Sequence, residues 1–114
     1  MTQPNAIDLI RAERQRQIEK EGYTAEHDDG HLGDQMAVAA AFYAFPDDMR
    51  DVTRYQLGGK EIRSPRRWPW PPHYWKPTPD DRIRELVKAG ALIAAEIDRL
   101  SRKQSKRKRK AARS

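Results

Sequence analysis

Cysteine does not occur in this 114-residue chain, which excludes a disulfide framework and a thiolate metal site. Long apolar runs are also missing. No stretch of 18 apolar residues is present, so we expect no membrane-spanning helix and no membrane partner. The N-terminal segment MTQPNAIDLIRAER lacks the apolar centre of a secretory signal peptide. We therefore expect a cytoplasmic protein, and the length suits one domain.

Acidic residues are absent from the C-terminal segment. Residues 102–114 hold eight of the 23 Lys and Arg residues and none of the 17 Asp and Glu residues. Residues 1–101 therefore hold 15 basic and 17 acidic residues, a net charge of −2 against +6 for the whole chain. This distribution predicts a near-neutral domain over 1–101 and a disordered basic tail over 102–114. Two interpretations of the tail stay open, a solvated end that aids solubility and a weak non-specific contact with nucleic acid.

Three stretches carry helical signals, and the strongest covers residues 79–101. Thr78 is an expected N-cap there, and Pro79 suits the first helical position. Earlier in the chain, Asn5 is an expected cap for a helix over about 6–21, which Gly22 would end. An alanine-rich helix over about 34–45 would end at Pro46. Apolar residues follow the long helix at helical spacing: Ile83, Leu86, Val87, Gly90, Ile93, Ala94, Ile97 and Leu100.

Two further segments lack helical signals. Residues 47–63 contain Gly58-Gly59, which is compatible with a short hairpin or with an irregular loop. Residues 64–79 contain six prolines and all three tryptophans of the chain, so neither a helix nor a central strand is expected. Because large aromatic side chains are rarely left in water, we expect this segment to pack over the helices as a strap. The predicted fold class is thus all-α, a small bundle of three to four helices with a Pro/Trp-rich strap.

A group of acidic and histidine residues follows the first helix. His27 and His31 are four positions apart, and the acidic residues Asp28, Asp29 and Asp34 lie among or after them. Caps and turns explain such residues just before a helix. A metal or catalytic role is the alternative, with magnesium favoured over zinc because carboxylates dominate.

Aromatic and basic side chains alternate in the strap, and they form a second group. Aromatic faces can stack on a base while basic side chains bind phosphates. The alternative is that the tryptophans cover the apolar bundle and the charges between them face solvent. The residues concerned are Arg66, Arg67, Trp68, Trp70, His73, Tyr74, Trp75 and Lys76. A third feature is the Glu85-x-x-Lys88 pair on the long helix, which also has a structural alternative as an ordinary ion pair along the helix.

The order of these pieces resembles that of small phage and prophage proteins related to the MazG-like all-α nucleotide pyrophosphohydrolases. The shared features are Glu13-Arg14-x-Arg16-Gln17, Lys20-Glu21-Gly22, a His-Asp turn, an acid opening an alanine-rich helix, and an Arg-Glu-Leu-Val helix. In that family, ExxE and ExxD motifs supply four carboxylates that hold magnesium at a triphosphate. Here those positions are Asp34-Gln35-Met36-Ala37 and Glu85-Leu86-Val87-Lys88. Two of the four carboxylates are therefore absent, and Lys88 replaces one of them.

The resemblance implies a phage-type protein that binds a nucleotide or a cyclic-nucleotide signal and sequesters it, as in an anti-defence role, without needing a cofactor. One alternative is a divergent pyrophosphohydrolase that uses Mg²⁺ held by Asp28, Asp29, Asp34 and Glu85. Another is an adaptor whose tail binds nucleic acid and whose helical body binds a protein. We also expect a homo-oligomer, because small helical domains with alanine-rich faces often associate. The predicted nucleotide contacts are Arg14, Gln17, Trp68, Trp70, Tyr74, Trp75, Arg84 and Lys88.

Overall fold

The computed structural model describes residues 3–30 and 34–113. Over these residues it has four α-helices and one β-hairpin, with two short 3₁₀ turns between them. The all-α class expected from the sequence is wrong, because the hairpin adds two strands to the helices. In chain order the elements are α1 (Ala6–Glu21), α2 (Ala25–Asp29), α3 (Gln35–Ala44), a 3₁₀ turn (Asp47–Met49), β1 (Val52–Leu57), β2 (Lys60–Pro65), a 3₁₀ turn (Pro72–Tyr74) and α4 (Arg82–Arg113).

The hairpin occupies the segment for which the sequence left two alternatives. Strands β1 and β2 pair antiparallel, with Val52 opposite Pro65 and Leu57 opposite Lys60. Gly58 and Gly59 connect them with φ angles of 57° and 77°. Both angles lie in the left-handed region that glycine adopts without a steric penalty, as a two-residue type I′ turn requires. The Gly-Gly pair is therefore the physical reason for a hairpin here instead of an irregular loop.

Helix α1 begins and ends at the residues that its sequence predicts. The Asn5 side chain accepts a hydrogen bond from the Asp8 backbone N–H at 2.9 Å, and the Asp8 carboxylate accepts one from the Asn5 N–H at 3.4 Å. Together these two bonds form a capping box. At the other end, Gly22 has a φ of 74°, in the left-handed conformation that often follows a helix.

Helix α4 begins three residues later than expected and continues well past residue 101. Its cap is Asp81, whose carboxylate accepts a hydrogen bond from the Arg84 backbone N–H at 3.1 Å. The segment expected as a disordered tail is helical through Arg113. Lys, Arg, Gln and Ala all favour helix, and cations stabilise the C-terminal end of its dipole, so the helix continues after its apolar pattern stops. Among residues 3–30 and 34–113, no helix combines the length and hydropathy needed to cross a membrane.

The core lies where α3 packs against α4 and the strap covers both. It is built from small residues of the two helices together with the large rings of Tyr43 and Trp75. The Trp75 ring lies 4.6 Å from that of Tyr43, measured between centroids, and Trp68 meets the Tyr43 ring edge-on at 5.9 Å. The Tyr43 hydroxyl accepts a hydrogen bond from the Lys76 backbone N–H at 3.0 Å. Aromatic packing and this bond fasten residues 64–79 to the helices.

Candidate functional site

A cleft opens between the C-terminal half of α1, α2 and the strap; we name it the aromatic–cationic cleft. Its outer part is a cavity of about 310 Å³, and its deeper part is a smaller cavity of about 40 Å³. The outer part is lined by Glu21, Tyr23, His27, Trp70, Pro71 and Tyr74. The deeper part shares four of these residues, which are Glu21, Tyr23, Trp70 and Tyr74, and adds Glu13, Arg16, Gln17, Tyr43, Lys76, Lys88 and Leu92.

The outer part presents aromatic faces. The Tyr23 and His27 rings stack at 5.1 Å with an interplanar angle of 14°, and Trp70 lies 6.2 Å from Tyr23 at 49°. Tyr74, in the 3₁₀ turn of the strap, is 41% exposed, and its ring contacts that of His73 at 4.3 Å. Burial, followed by the nearby carboxylate of Glu21, raises the pKa of Tyr23 well above its ordinary value. The phenol therefore stays neutral near pH 7, and Tyr23 and Trp70 offer uncharged ring surfaces to a planar group in the outer cavity.

The deeper part is lined by charged side chains, and its cations outnumber its carboxylates. Arg16 binds Glu13 through two hydrogen bonds of 2.7 and 2.9 Å, and Arg84 binds the same carboxylate at 2.6 Å. Lys76 lies 3.2 Å from Glu21. Burial raises the pKa of Glu13, but the hydrogen bond and charge of Arg16 and the charge of Arg84 outweigh it and hold that pKa below its ordinary value.

Lys88 is the cation of this group with the least compensation. Its Nζ donates a hydrogen bond to the backbone carbonyl of Lys76 at 2.8 Å and lies 5.7 Å from the centre of the Tyr43 ring. Within the described part of the chain, no carboxylate lies at ion-pairing distance from this nitrogen. Burial, followed by repulsion from Arg84, lowers its pKa. A partly buried ammonium whose close contacts are a carbonyl and an aromatic ring is a favourable place for an anion.

Gln17 adds an unused acceptor to the deeper part. The side chain is 4% exposed, and its Nε2 donates to the Glu13 carboxylate at 3.1 Å. That bond fixes the orientation of the amide, which leaves Oε1 buried and without a hydrogen-bond partner. A buried acceptor of this kind has lost its contact with water and gains when a ligand N–H or O–H reaches it.

Half of the eight predicted nucleotide contacts line this cleft: Gln17, Trp70, Tyr74 and Lys88. Trp68 and Trp75 instead belong to the packing around Tyr43. Arg14 lies 3.4 Å from Asp98 and 3.8 Å from Asp28. Arg84 reaches Glu13 from a neighbouring pocket.

Sequence reasoning missed Arg16, Tyr23 and Tyr43 as cleft residues. Arg16 stands three positions after Glu13 and one before Gln17, so the helical spacing of Glu13 and Arg16 was an available signal. Tyr23 follows the glycine that ends α1, and Tyr43 lies in an apolar stretch of α3. No sequence pattern marks either tyrosine, because their position depends on how the strap packs.

The four carboxylates proposed for magnesium do not fit a shared site. Glu85 is fully buried and lies 3.0 Å from Arg50 and 3.3 Å from Arg82, while Asp29 binds Arg102 at 2.7 Å. A carboxylate neutralised by arginine is a poor ligand for a hard cation. Asp28 is buried beside His27 at 3.2 Å, and Asp34 is exposed at the start of α3.

Within residues 3–30 and 34–113, no three acidic or histidine side chains are grouped so that they could hold a metal ion. His31, the second histidine of the possible ligand pair, lies outside the described residues.

Comparison of the chain with protein-family models, curated proteins and solved structures finds no match. The resemblance to MazG-like proteins therefore stays a prediction. Any function has to be argued from the cleft itself.

Proposed function

We propose that this protein binds a nucleotide in the aromatic–cationic cleft and holds it without hydrolysing it. One observation carries the proposal: aromatic ring faces and a group of partly exposed cations meet in a single cleft. A nucleotide has the matching parts, a planar base and an anionic phosphate. The outer cavity, at about 310 Å³, is at the small end of the range for ligand pockets. It therefore favours a mononucleotide over a larger ligand.

The arrangement suggests how such a ligand would lie. The base would contact Tyr23, Trp70 and Tyr74 in the outer cavity, where stacking does not require one particular base. The phosphate would point inward to Lys88 and Arg16. Gln17 Oε1 would accept a hydrogen bond from an amino group of the base or from a ribose hydroxyl.

Charge balance supports the direction of the phosphate. Three cations line the deeper part, namely Arg16, Lys76 and Lys88. Glu13 and Glu21 are the carboxylates among the same lining residues, so the lining carries an excess of one positive charge. A phosphate would remove that excess and would make charge-assisted hydrogen bonds of the stronger kind.

Binding is favoured over the pyrophosphohydrolase alternative. Hydrolysis through magnesium would need Glu85 as a ligand, but Glu85 is held between Arg50 and Arg82. The resemblance extends the proposal to a phage-type protein that sequesters a linear or cyclic nucleotide in the cytoplasm of a bacterial host. Binding would then need no cofactor. Homo-oligomerisation and nucleic-acid contact through the basic segment likewise stay predictions.

Tyr74→Ala should weaken nucleotide binding, because Tyr74 offers a ring face in the outer cavity. Loss of one base–aromatic stack costs about 1–3 kcal/mol, equivalent to a rise in Kd of roughly 5- to 150-fold. Isothermal titration with linear and cyclic mononucleotides measures the effect. Tyr55→Ala is the matched control, since Tyr55 is 40% exposed on the hairpin, against 41% for Tyr74. Equal affinities for the two variants would contradict base stacking on Tyr74.

Nucleotide affinity should also fall as the pH rises. The ammonium of Lys88 binds phosphate only while protonated, and its pKa is lowered from the ordinary 10.5 by burial and by Arg84. Affinity should be complete well below this lowered pKa and should decline as the pH passes through it. Titrations between pH 7 and 10 test this, with Lys88→Arg as the control because arginine keeps its proton throughout the range. A wild-type affinity that follows the Lys88→Arg profile would contradict the role of Lys88.

A further inference from the structure

A row of large apolar side chains lies exposed along one face of α4. The exposed fractions are 68% for Ile83, 47% for Leu86, 48% for Ile93, 57% for Ile97 and 40% for Leu100. We name this row the α4 stripe. Scattered apolar residues are normal on a protein surface, but five large ones on one face of a single helix are typical of an interaction site.

The spacing of the α4 stripe is that of a coiled-coil seam. From Ile83 to Leu100 the steps alternate between three and four residues, with Gly90 at the central position. The helix is buried on either side of the stripe, at Val87 and Ala91 on one side and at Ala89 on the other. Gly90 itself lies against the Ile10 side chain of α1, so the open sector of α4 consists of the exposed residues before and after that contact.

We infer that this face is covered by α4 of a second copy of the chain, packed antiparallel about a two-fold axis. The stripe is self-complementary in that arrangement. Ile83 would meet Leu100 of the partner subunit, and Leu86 would meet Ile97 of the partner subunit. Near the axis, Ile93 of the partner subunit would meet Ile10 of α1, whose side chain covers Gly90. Two-fold pairing of one patch with itself is the commonest form of protein association.

Charge supports a second copy and favours antiparallel over parallel packing of the two α4 helices. Residues 80–85 at the N-terminal end of α4 hold Asp80, Asp81 and Glu85 against Arg82 and Arg84, a net charge of −1, and both aspartates are exposed. Asp47, also exposed, belongs to the same end, because it lies 3.4 Å from Arg50, which binds Glu85 of α4 at 3.0 Å. The other end is the exposed basic helix over residues 103–113. In this antiparallel register, residues 102 and 103 would lie opposite Asp81 and Asp80 of the partner subunit, and residues 104–113 would extend past the start of its α4.

A parallel pair would place the two basic ends side by side, where like charges repel. Nucleic acid would neutralise the charge of the basic segment but would leave the α4 stripe exposed to water. A second copy is the occupant that accounts for both features with one contact.

Sedimentation velocity over a range of protein concentrations tests the inference. We expect a species of twice the 13.3 kDa chain mass, and we expect Ile97→Glu to raise the dimer dissociation constant at least tenfold. Leu57→Glu is the matched control, because Leu57 is 50% exposed on the hairpin and should leave the dimer intact. Deletion of residues 102–113 should weaken the dimer, most clearly at low salt. A wild-type chain that stays monomeric, or a dimer indifferent to Ile97→Glu, would overturn the inference.

The direction of pairing has its own test, since the natural chain has no cysteine. Leu86→Cys and Ile97→Cys would be prepared as separate proteins, then mixed and oxidised. An antiparallel pair predicts disulfide-linked heterodimers in the mixture and little linkage in either protein alone. Linkage of each protein to itself would overturn the antiparallel arrangement. A monomer that binds duplex DNA only when residues 102–113 are present would overturn the second copy in favour of nucleic acid.

Discussion

Lys88→Met is expected to weaken nucleotide binding by about 10- to 100-fold. The reason is the value of a hydrogen bond to a charged group, about 1.5–3 kcal/mol. Methionine keeps most of the volume and the apolar stem of lysine, so the packing beside Tyr43 should survive. What it removes is the ammonium that lies 2.8 Å from the Lys76 carbonyl and 5.7 Å from the Tyr43 ring centre. Isothermal titration of the folded variant with a mononucleotide gives the change directly.

Lys60→Met is the matched control for this prediction. Lys60 is an exposed lysine that begins β2 at the hairpin turn, and it lines neither part of the cleft. Both variants lose one positive charge, so a general effect of net charge on anion binding would appear in both. Equal affinities in Lys88→Met, Lys60→Met and the natural chain would mean that the phosphate does not bind at Lys88.

The largest stability effect is expected at Glu85. Glu85→Ala should lower the free energy of unfolding by about 3–5 kcal/mol, because it leaves a buried charge without its partner. The charge left behind is Arg50, whose side chain is 0% exposed and which donates to Glu85 at 3.0 Å. Arg82 and the Thr78 backbone N–H would lose the same acceptor. Urea denaturation followed by circular dichroism measures the loss.

Glu61→Ala provides the surface comparison for Glu85. Glu61 is a 38% exposed hairpin carboxylate that pairs with Arg63 at 3.2 Å, and exposed pairs are worth about 0–1 kcal/mol. A Glu85→Ala protein as stable as Glu61→Ala would contradict the structural role. The comparison also matters for function, because lost activity in an unfolded Glu85→Ala protein would not identify Glu85 as a metal ligand.

Lowering the pH should destabilise the protein, partly through protonation of the Glu85 carboxylate. Burial raises the pKa of Glu85, but the hydrogen bond and charge of Arg50, and then Arg82, hold that pKa below its ordinary value of 4.5. A lowered folded-state pKa contributes stability that is fully present above the unfolded value and is lost as the pH falls through the folded one. Glu85→Gln cannot titrate, so its stability should change less with pH below about 4.5 than that of the natural chain.

Local signals in the sequence predict much of the helical framework. The start and end of α1 follow from Asn5 and Gly22, and α3 follows from an apolar run that Pro46 ends. The hairpin stayed an open alternative because a Gly-Gly pair is compatible with more than one turn. The C-terminal extent of α4 was missed because the apolar period ends near Leu100, whereas the residues beyond it favour helix without any apolar pattern.

The candidate site was harder to predict, for a physical reason. The strap has no period, so its sequence cannot show that Trp75 faces the core while Tyr74, its neighbour, faces the cleft. The long-range pairing of Arg50 with Glu85 has no local signal either, since 35 positions separate the two residues. That pairing is the main reason to interpret Glu85 as a structural residue of the buried core.

The most direct test of the central claim is a depletion-and-return experiment. Linear and cyclic nucleotides are incubated with the protein, with and without Mg²⁺, and the free nucleotide is measured by chromatography before and after the protein is heat-denatured. The account predicts that a nucleotide disappears on incubation and returns chemically intact on denaturation, with or without the metal. Return as a monophosphate with pyrophosphate would contradict binding without hydrolysis, and no depletion of any nucleotide would contradict the nucleotide site itself.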